Sequence, residues 1–317
     1  MIGEINIGGL ACNGLVFEKP NQLKTPYTII PTRFYDGMID HISNGGLTIE
    51  TDRELKSEEI DYAQEMMIKK LYAFGIKYDQ ILTNFYFLPS HFDDRIIKRL
   101  NLLEEVDGQG VTVSTISVAK HIRKYFPKLI IRWSITGVYR DNPVDLVEYT
   151  NRVLEYTDRI VIPPEYNEDW ETLAKLPVDK VELMILDQCG STCKFRKMHY
   201  TLSSMDQVRL VNRDIEHTGI NRHFCDNIHY RSNVDTRTKD ITFVRPTIVK
   251  RYMEMGINKF KIASRNFINT MDAPYYLDMI LPTLAGEFLV KEDVDLSMYE
   301  EEFKQLFKDM KELPKEL

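Results

Sequence analysis

Cysteine is scarce, long apolar runs are missing and positive charge is in deficit. Four cysteines in 317 residues are too few for a disulfide scaffold and read as thiols or ligands in a reducing compartment. No apolar run approaches the length that crosses a bilayer. The start, "MIGEINIGGLAC", lacks the basic segment of a secretion signal and carries Glu4 within its short apolar stretch. A cytoplasmic protein with no membrane partner is therefore expected. Lys and Arg total 41 against 48 Asp and Glu, a formal net charge of −7, which excludes a surface that grips nucleic acid throughout and leaves only a local basic patch. There is no internal repeat, low-complexity tract or Gly/Ser linker, so one domain over 1–317 is expected. A Gly-rich phosphate loop, a G-x-S-x-G elbow and a recognisable hydrolytic triad are also missing.

What the chain has is alternation. β-rich runs stand at 27–34, 80–87, 111–115, 129–136, 159–164, 181–186 and 259–264, with a weaker one at 222–230, and helical patterns separate them. The clearest helix covers 57–74: Ser57 can cap it, Glu58 and Glu59 sit in its first turn, and Ile60, Ala63, Met67, Leu71 and Phe74 form a stripe before Gly75. Asn142 and Pro143 read as N-cap and first helical residue of another; Pro246 and Gly256 bracket a third. A run at 44–52 reads as a weak hairpin in a long first loop. The 296–313 stretch carries Tyr299, Phe303, Leu306, Met310 and Leu313 on one face, to dock on the barrel or on a partner subunit. Trp133 and Phe85, inside assigned strands, read as core. About eight strands alternating with helices predict an α/β fold, a (β/α)8 TIM-like barrel, with a doubly wound open sheet as the runner-up.

Barrels of this kind build their sites where strands end. The residues so placed are Arg33, His91, Glu165, Asp187 to Cys193, Cys225 and Arg265. Arg196, Lys194 and Lys197 read equally as a solvated loop or as a basic patch for a carboxylate or phosphate. The segment 163–170 reads first as a loop capping the next helix, with Glu165 as an acid or base second. His223, Asp226 and His229 surround Cys225 as outer groups or as mixed metal ligands.

Cys189 and Cys193 follow the sixth assigned strand, Cys225 lies at the seventh, and Cys12 can reach the same rim from the N-terminus. Four thiolates suit a [4Fe–4S] cluster or a tetrahedral zinc, and spacing alone does not choose between them. Zinc knuckles usually come as two close pairs; one close pair with two isolated cysteines leans toward iron–sulfur. A radical S-adenosylmethionine motif would need a third cysteine soon after the pair, and position 196 is Arg. Small buried hydrophobic residues are the bland alternative.

The run "VELMILDQCGSTCKFRKMHY", a later lone cysteine and a strand ending "FKIASR" together resemble the collagenase-like peptidase family, which also contains the oxygen-independent ubiquinone-biosynthesis hydroxylase subunits and RNA-hydroxylation proteins. The matching positions are Cys189, Cys193, Arg196, His199, Cys225 and Arg265. The resemblance covers roughly 110–265. It departs at Asp187-Gln188, where the family often has an acidic residue and Gly, and at Ser264, where it has Gly. The family's alanine- and glycine-rich first strand is not recognisable. There is no room for the C-terminal domain of the longer members, so the chain is similar to the short, barrel-only ones.

The resemblance implies a barrel holding a [4Fe–4S] cluster on Cys12, Cys189, Cys193 and Cys225, and oxygen-independent hydroxylation of a small organic molecule or a nucleic-acid base. Arg196, His199 and Arg265 would orient an anionic substrate. Four thiolates leave no open iron, so electron transfer fits better than substrate ligation. A zinc-dependent peptidase or other hydrolase and a non-catalytic subunit with a structural metal are the alternatives, and a paired protein subunit is a further expectation.

Overall fold

The structure, a computed structural model, describes residues 4–8, 33–38, 41–45, 57–73, 75–187, 195–212 and 242–263. In chain order the elements are β1 (Glu4–Gly8), β2 (Arg33–Asp36), α1 (Ser57–Ala73), β3 (Lys77–Leu82), α2 (Asp94–Glu104), β4 (Gly110–Val113), α3 (Ile116–Tyr125), β5 (Ile130–Trp133) and α4 (Ile135–Asp141). They continue with α5 (Leu146–Val153), β6 (Arg159–Ile162), α6 (Trp170–Lys175), β7 (Val181–Asp187), α7 (Arg196–Asn212), β8 (Thr242–Phe243), α8 (Pro246–Glu254) and β9 (Lys259–Ala263). Strands β1 to β7 pair in sequence, each parallel to the next, and β9 closes the ring by pairing in parallel with both β7 and β1. This is a closed eight-stranded parallel barrel surrounded by helices, the (β/α)8 architecture expected. Strand β8 stands outside that ring: it pairs antiparallel with Leu186 and Asp187, beyond the point where β6 stops.

The strands alternate. Ile5, Ile7, Phe34, Tyr78, Val111, Val113, Ile131, Trp133, Ile160 and Ile162 face outward into one continuous core with helix residues such as Ile68, Leu100, Ile122 and Tyr149. The intervening positions point into the barrel and are largely polar: Asn6, Arg33, Asp79, Thr112, Arg132, Glu182 and Lys261 are all buried. The lower lumen is therefore ionic. Asp79 Oδ1 accepts from Arg33 Nη1 at 2.8 Å and from Arg132 Nη1 at 2.7 Å, and Arg132 Nε lies 4.0 Å from Glu182 on β7. These groups come from β2, β3, β5 and β7, so the network ties β3 to β5 and β5 to β7, strands that share no backbone hydrogen bonds.

Several sequence expectations change in this frame. The eight ring positions are filled without 222–230, a segment outside the described residues; the missed strand is β1, which lies before the first one expected. The strand expected at 80–87 is Lys77–Leu82, because Asn84 Oδ1 accepts from Tyr86 N at 2.8 Å and turns the chain. The one expected at 129–136 stops at Trp133, since Ser134 caps α4 by accepting from Thr136 N. Phe85 is accordingly a half-buried loop residue, while Trp133 is core. Asn142 is not an N-cap: it closes α4 in the left-handed region at φ 48°, and Asp145 caps α5 through Val147 N and Glu148 N.

Helix α1 is rotated by one position from its expected stripe. Gln64, Ile68 and Leu71 are buried and Ala63 is exposed, because Gln64 donates to Gly37 O and accepts from Arg99. Gly75 and Gly256, at φ +71° and +95°, end their helices as expected. The hairpin run beyond residue 45 and the 296–313 stripe lie outside the described residues.

Gly110 sits beside the central ion pair. A Cβ there would stand on Asp79 Oδ1 and 2.5 Å from Arg132 Nη1. Gly110→Ala is expected to lower stability by about 3 kcal/mol or more, adding overpacking to a disturbed buried pair. Urea denaturation checks this, and a loss below about 0.5 kcal/mol would remove Gly110 from this role.

Candidate active site at the C-terminal rim

The rim is lopsided because its connections differ in length. One residue separates β5 from α4 and two separate β4 from α3, and in each case the cap is at the strand's end: Ser134 for α4, Thr115 for α3. So short a turn cannot carry much chemistry. Longer segments follow β1, β2 and β3, eight residues separate β7 from α7, and β7, β9 and β1 are consecutive neighbours in the ring. That side of the rim is one with residues to spare.

Helix α7 starts there and crosses the mouth. At its first turn Arg196 Nη1 donates to Asp187 Oδ2 at 2.8 Å, with Arg196 2% exposed. Nearer its far end, Ser204 Oγ accepts from Phe85 N and donates to Gly45 O, Asn84 Nδ2 donates to Ser204 O, and Gln207 donates to His41 O. Those partners follow β2 and β3, and β3 faces β7 across the ring. Under the helix, Tyr200 packs with Ile135, Val161, Met184 and Ala263, flanked by Phe85 and Tyr139. The upper lumen is thus an apolar plug over the ionic lower lumen.

Beside the plug lies a polar chain. The Arg196 guanidinium stands 5.5 Å from the centre of the Tyr139 ring, and Tyr139 donates its hydroxyl to Glu165 Oε2 at 2.5 Å. Burial, reinforced by Glu165, pushes the Tyr139 phenol far up, so it stays a hydrogen-bond donor across the physiological range. Glu165 itself is exposed, in the turn Pro164–Tyr166 after β6, and Asp169 caps α6 through Thr172 N as the loop reading of 163–170 required. His199 is half-buried with its ring stacked on Tyr200 at 16° and 6.3 Å. Arg196, Asp187, Glu165 and His199 are thereby gathered at one side of the rim. Arg196 is held inside the fold by a carboxylate, whereas Lys197 is exposed.

Two strand-end expectations need correction. Arg33 begins β2 rather than ending it, so it lies at the opposite, N-terminal face in the ionic lumen. His91 belongs to the turn Pro89–His91, well past the end of β3, where its Nδ1 accepts from Leu88 N. Cys12, Cys189, Cys193, Cys225 and Arg265, with Lys194, His223, Asp226 and His229, lie outside the described residues. Among the described residues no group of three His, Cys, Asp or Glu could hold a metal ion, and no helix is long and apolar enough to cross a membrane. Sequence reasoning missed Tyr139, Tyr200, Asn84 and Ser204; nothing in their local sequence sets them apart, because long-range packing recruits them.

One further trio lies on the β2 side. His41 Nδ1 meets Ser43 Oγ at 2.8 Å and accepts from Ser43 N, while Nε2 faces Asp93 at 3.4 Å. The order acid, imidazole, hydroxyl is that of a nucleophilic triad. Ser43, however, is fully buried and Asp93 is engaged as the N-cap of α2, so no substrate carbonyl can approach the hydroxyl. The trio fastens the loop instead.

No family profile and no curated protein matches the chain. Among solved structures it is similar to the U32 peptidase Mk0906 at 13% identity and TM-score 0.48, over 83% of this chain and 93% of that one. A likeness at this level carries no argument; the barrel is established by its own strand pairing.

Replacing one partner of the Asp187–Arg196 pair should cost about 3–5 kcal/mol, since it leaves a buried charge alone. The double variant Asp187→Asn/Arg196→Gln should cost clearly less than the two singles together. A double-mutant cycle in urea measures this, and strict additivity would show that the pair is not coupled. For His41, burial holds the imidazole below its ordinary value of 6.5 against the pull of Asp93. The unfolded chain then takes up the proton first on acidification. The contribution of neutral His41 is complete above the ordinary value and is lost as pH falls below it. His41→Asn should flatten the fall in melting temperature between about pH 7.5 and pH 5.5; an unchanged slope would place the proton uptake elsewhere.

Proposed function

We propose that this chain is an enzyme of the collagenase-like peptidase family, of the short oxygen-independent hydroxylase type. In this reading Cys12, Cys189, Cys193 and Cys225 hold a [4Fe–4S] cluster at the C-terminal rim. The observation that supports the proposal is strand order: β7, β9 and β1 are neighbours, and the segments bearing Cys12, Cys189, Cys193 and Arg265 leave their ends. Cys189 is two residues beyond Asp187, Cys193 three before Arg196, Cys12 four beyond Gly8 and Arg265 two beyond Ala263. At no more than about 3.6 Å of reach per residue, those four positions are tethered near one side of the mouth. Cys225 is tethered more loosely, between α7 and β8.

A cluster with four thiolate ligands supplies one-electron transfer. The chain's own groups supply the rest. Arg196, fixed by Asp187, places a positive charge behind the cluster-bearing loop; His199 presents an imidazole at the rim as the candidate proton carrier. The Tyr139 hydroxyl, kept protonated by burial and Glu165, is a fixed donor toward the same side. Arg265 gives an anionic substrate its counter-charge, and the apolar plug keeps that substrate at the mouth rather than in the lumen. The substrate class is a small anionic organic molecule or a nucleic-acid base, with a paired subunit as the candidate partner.

Strictly anaerobic purification followed by iron, acid-labile sulfide and zinc analysis tests the reading. About four iron and four sulfide per chain are expected, with a visible absorption band, and both should be lost in Cys189→Ala and Cys12→Ala. Zinc alone would replace this reading with the hydrolase or structural-metal alternatives. Metal that survives in Cys12→Ala would remove Cys12 from the ligand set.

A further inference from the structure

The barrel's other face carries a second feature. At the N-terminal mouth, where the strands begin, a cavity of about 270 Å³ opens into the ionic lower lumen. Five basic side chains line it, Arg33, Lys77, Arg132, Arg159 and Lys259, against two carboxylates, Glu4 and Glu182. Most of these cations have a partner: Arg33 takes Asp79 and Gly108 O, Arg159 takes Glu4, Lys77 takes Asp107 O, and Lys259 takes Asp179 O and Asn258. Arg132 is different. Fully buried, it spends one nitrogen on Asp79 and leaves Nε and Nη2 without a hydrogen-bond partner. Asn6, 3% exposed and lining the same cavity from β1 across the ring, has no hydrogen-bond partner for either atom of its side-chain amide.

A buried guanidinium edge and a buried amide that both lack hydrogen bonds are costly, so something polar is needed to occupy the space they face. Crowding of like charge shows in the same place. Burial and Arg33 push Arg132 down to about 10, and burial and Arg159 lower Lys259. The cavity falls below the range of about 300–1,000 Å³ that accommodates drug-sized ligands, which limits the occupant to a small one. Glu182 Oε2, 4.0 Å from Arg132 Nε and without a hydrogen bond, suits a ligand that also carries a proton or hydroxyl, as hydrogen phosphate does.

We propose that the N-terminal mouth of the barrel is a binding site for a small phosphoryl oxyanion, held by Arg132 and Asn6 and screened by Arg159 and Lys259. It lies at the opposite end from the rim and does not depend on any cluster there.

Isothermal titration with inorganic phosphate at constant ionic strength tests the proposal on the full chain. Saturable binding is expected, weakened at least tenfold by Asn6→Ala and by Lys259→Gln, with sulfate competing and chloride not. Lys259 is only half-buried, so its variant retains the fold; melting curves without phosphate verify that for both variants. A glycerol phosphate titration separates sources: tighter binding than phosphate identifies the phosphoryl group of a small metabolite, and equal or weaker binding identifies the free ion. Absence of saturable heat with either compound would mean that the cavity holds water alone and would overturn the site. So would binding that both variants retain, or that chloride abolishes as readily as sulfate.

Discussion

A single carboxylate, Asp79, holds the middle of this barrel together. Its Oδ1 receives both Arg33 and Arg132, and the three side chains come from β2, β3 and β5, with Glu182 reaching in from β7. Eight short strands, several only four residues long, present limited apolar surface inward. The lumen is closed by charge below and by the Tyr200 cluster above. Such a network is weak evidence for net stability, because desolvation offsets most of the attraction. Its value lies in selectivity: a wrong register would strand a buried charge, so only one strand alignment satisfies it. Gly110 is part of the same constraint, since the two charged groups occupy the volume a side chain would need.

That constraint divides the molecule into two ends with different chemistry. The N-terminal end is basic and cavity-bearing; the C-terminal end is crossed by α7. The division follows from turn length. Where Thr115 and Ser134 cap helices straight off their strands, the chain has no spare residues for function. Where more residues follow the strand, as after β1 and β7, it does, and Cys12, Cys189 and Cys193 lie in those two segments.

Much of the architecture was legible because the outward faces of the strands are strongly apolar and the helices carry ordinary stop signals such as Gly75 and Gly256. What stayed hidden was hidden by polar lumen positions. Glu4 and Asn6 interrupt β1, Lys77 and Asp79 begin β3, and a strand with every second residue charged does not read as barrel core. The same cause misplaced Arg33, which sits at the start of a strand whose end it was expected to mark. Asn142 misled for a different reason, since asparagine suits both an N-cap and a left-handed C-cap and only the next residues' hydrogen bonds decide. At the rim, Arg196 and His199 were found through a motif, whereas Tyr139 and Glu165 meet only because α4 and the turn after β6 lie side by side.

The Asp187–Arg196 pair joins the two ends of the connection between β7 and α7. Ordering a free loop around a metal carries the entropy of bringing distant ends together, a cost that grows with the logarithm of loop length. Here the protein has closed that loop before any ligand arrives. Should the proposed cluster bind there, part of its affinity would be drawn from the barrel's own folding free energy, and loosening the pair would register first as slower loading and faster loss.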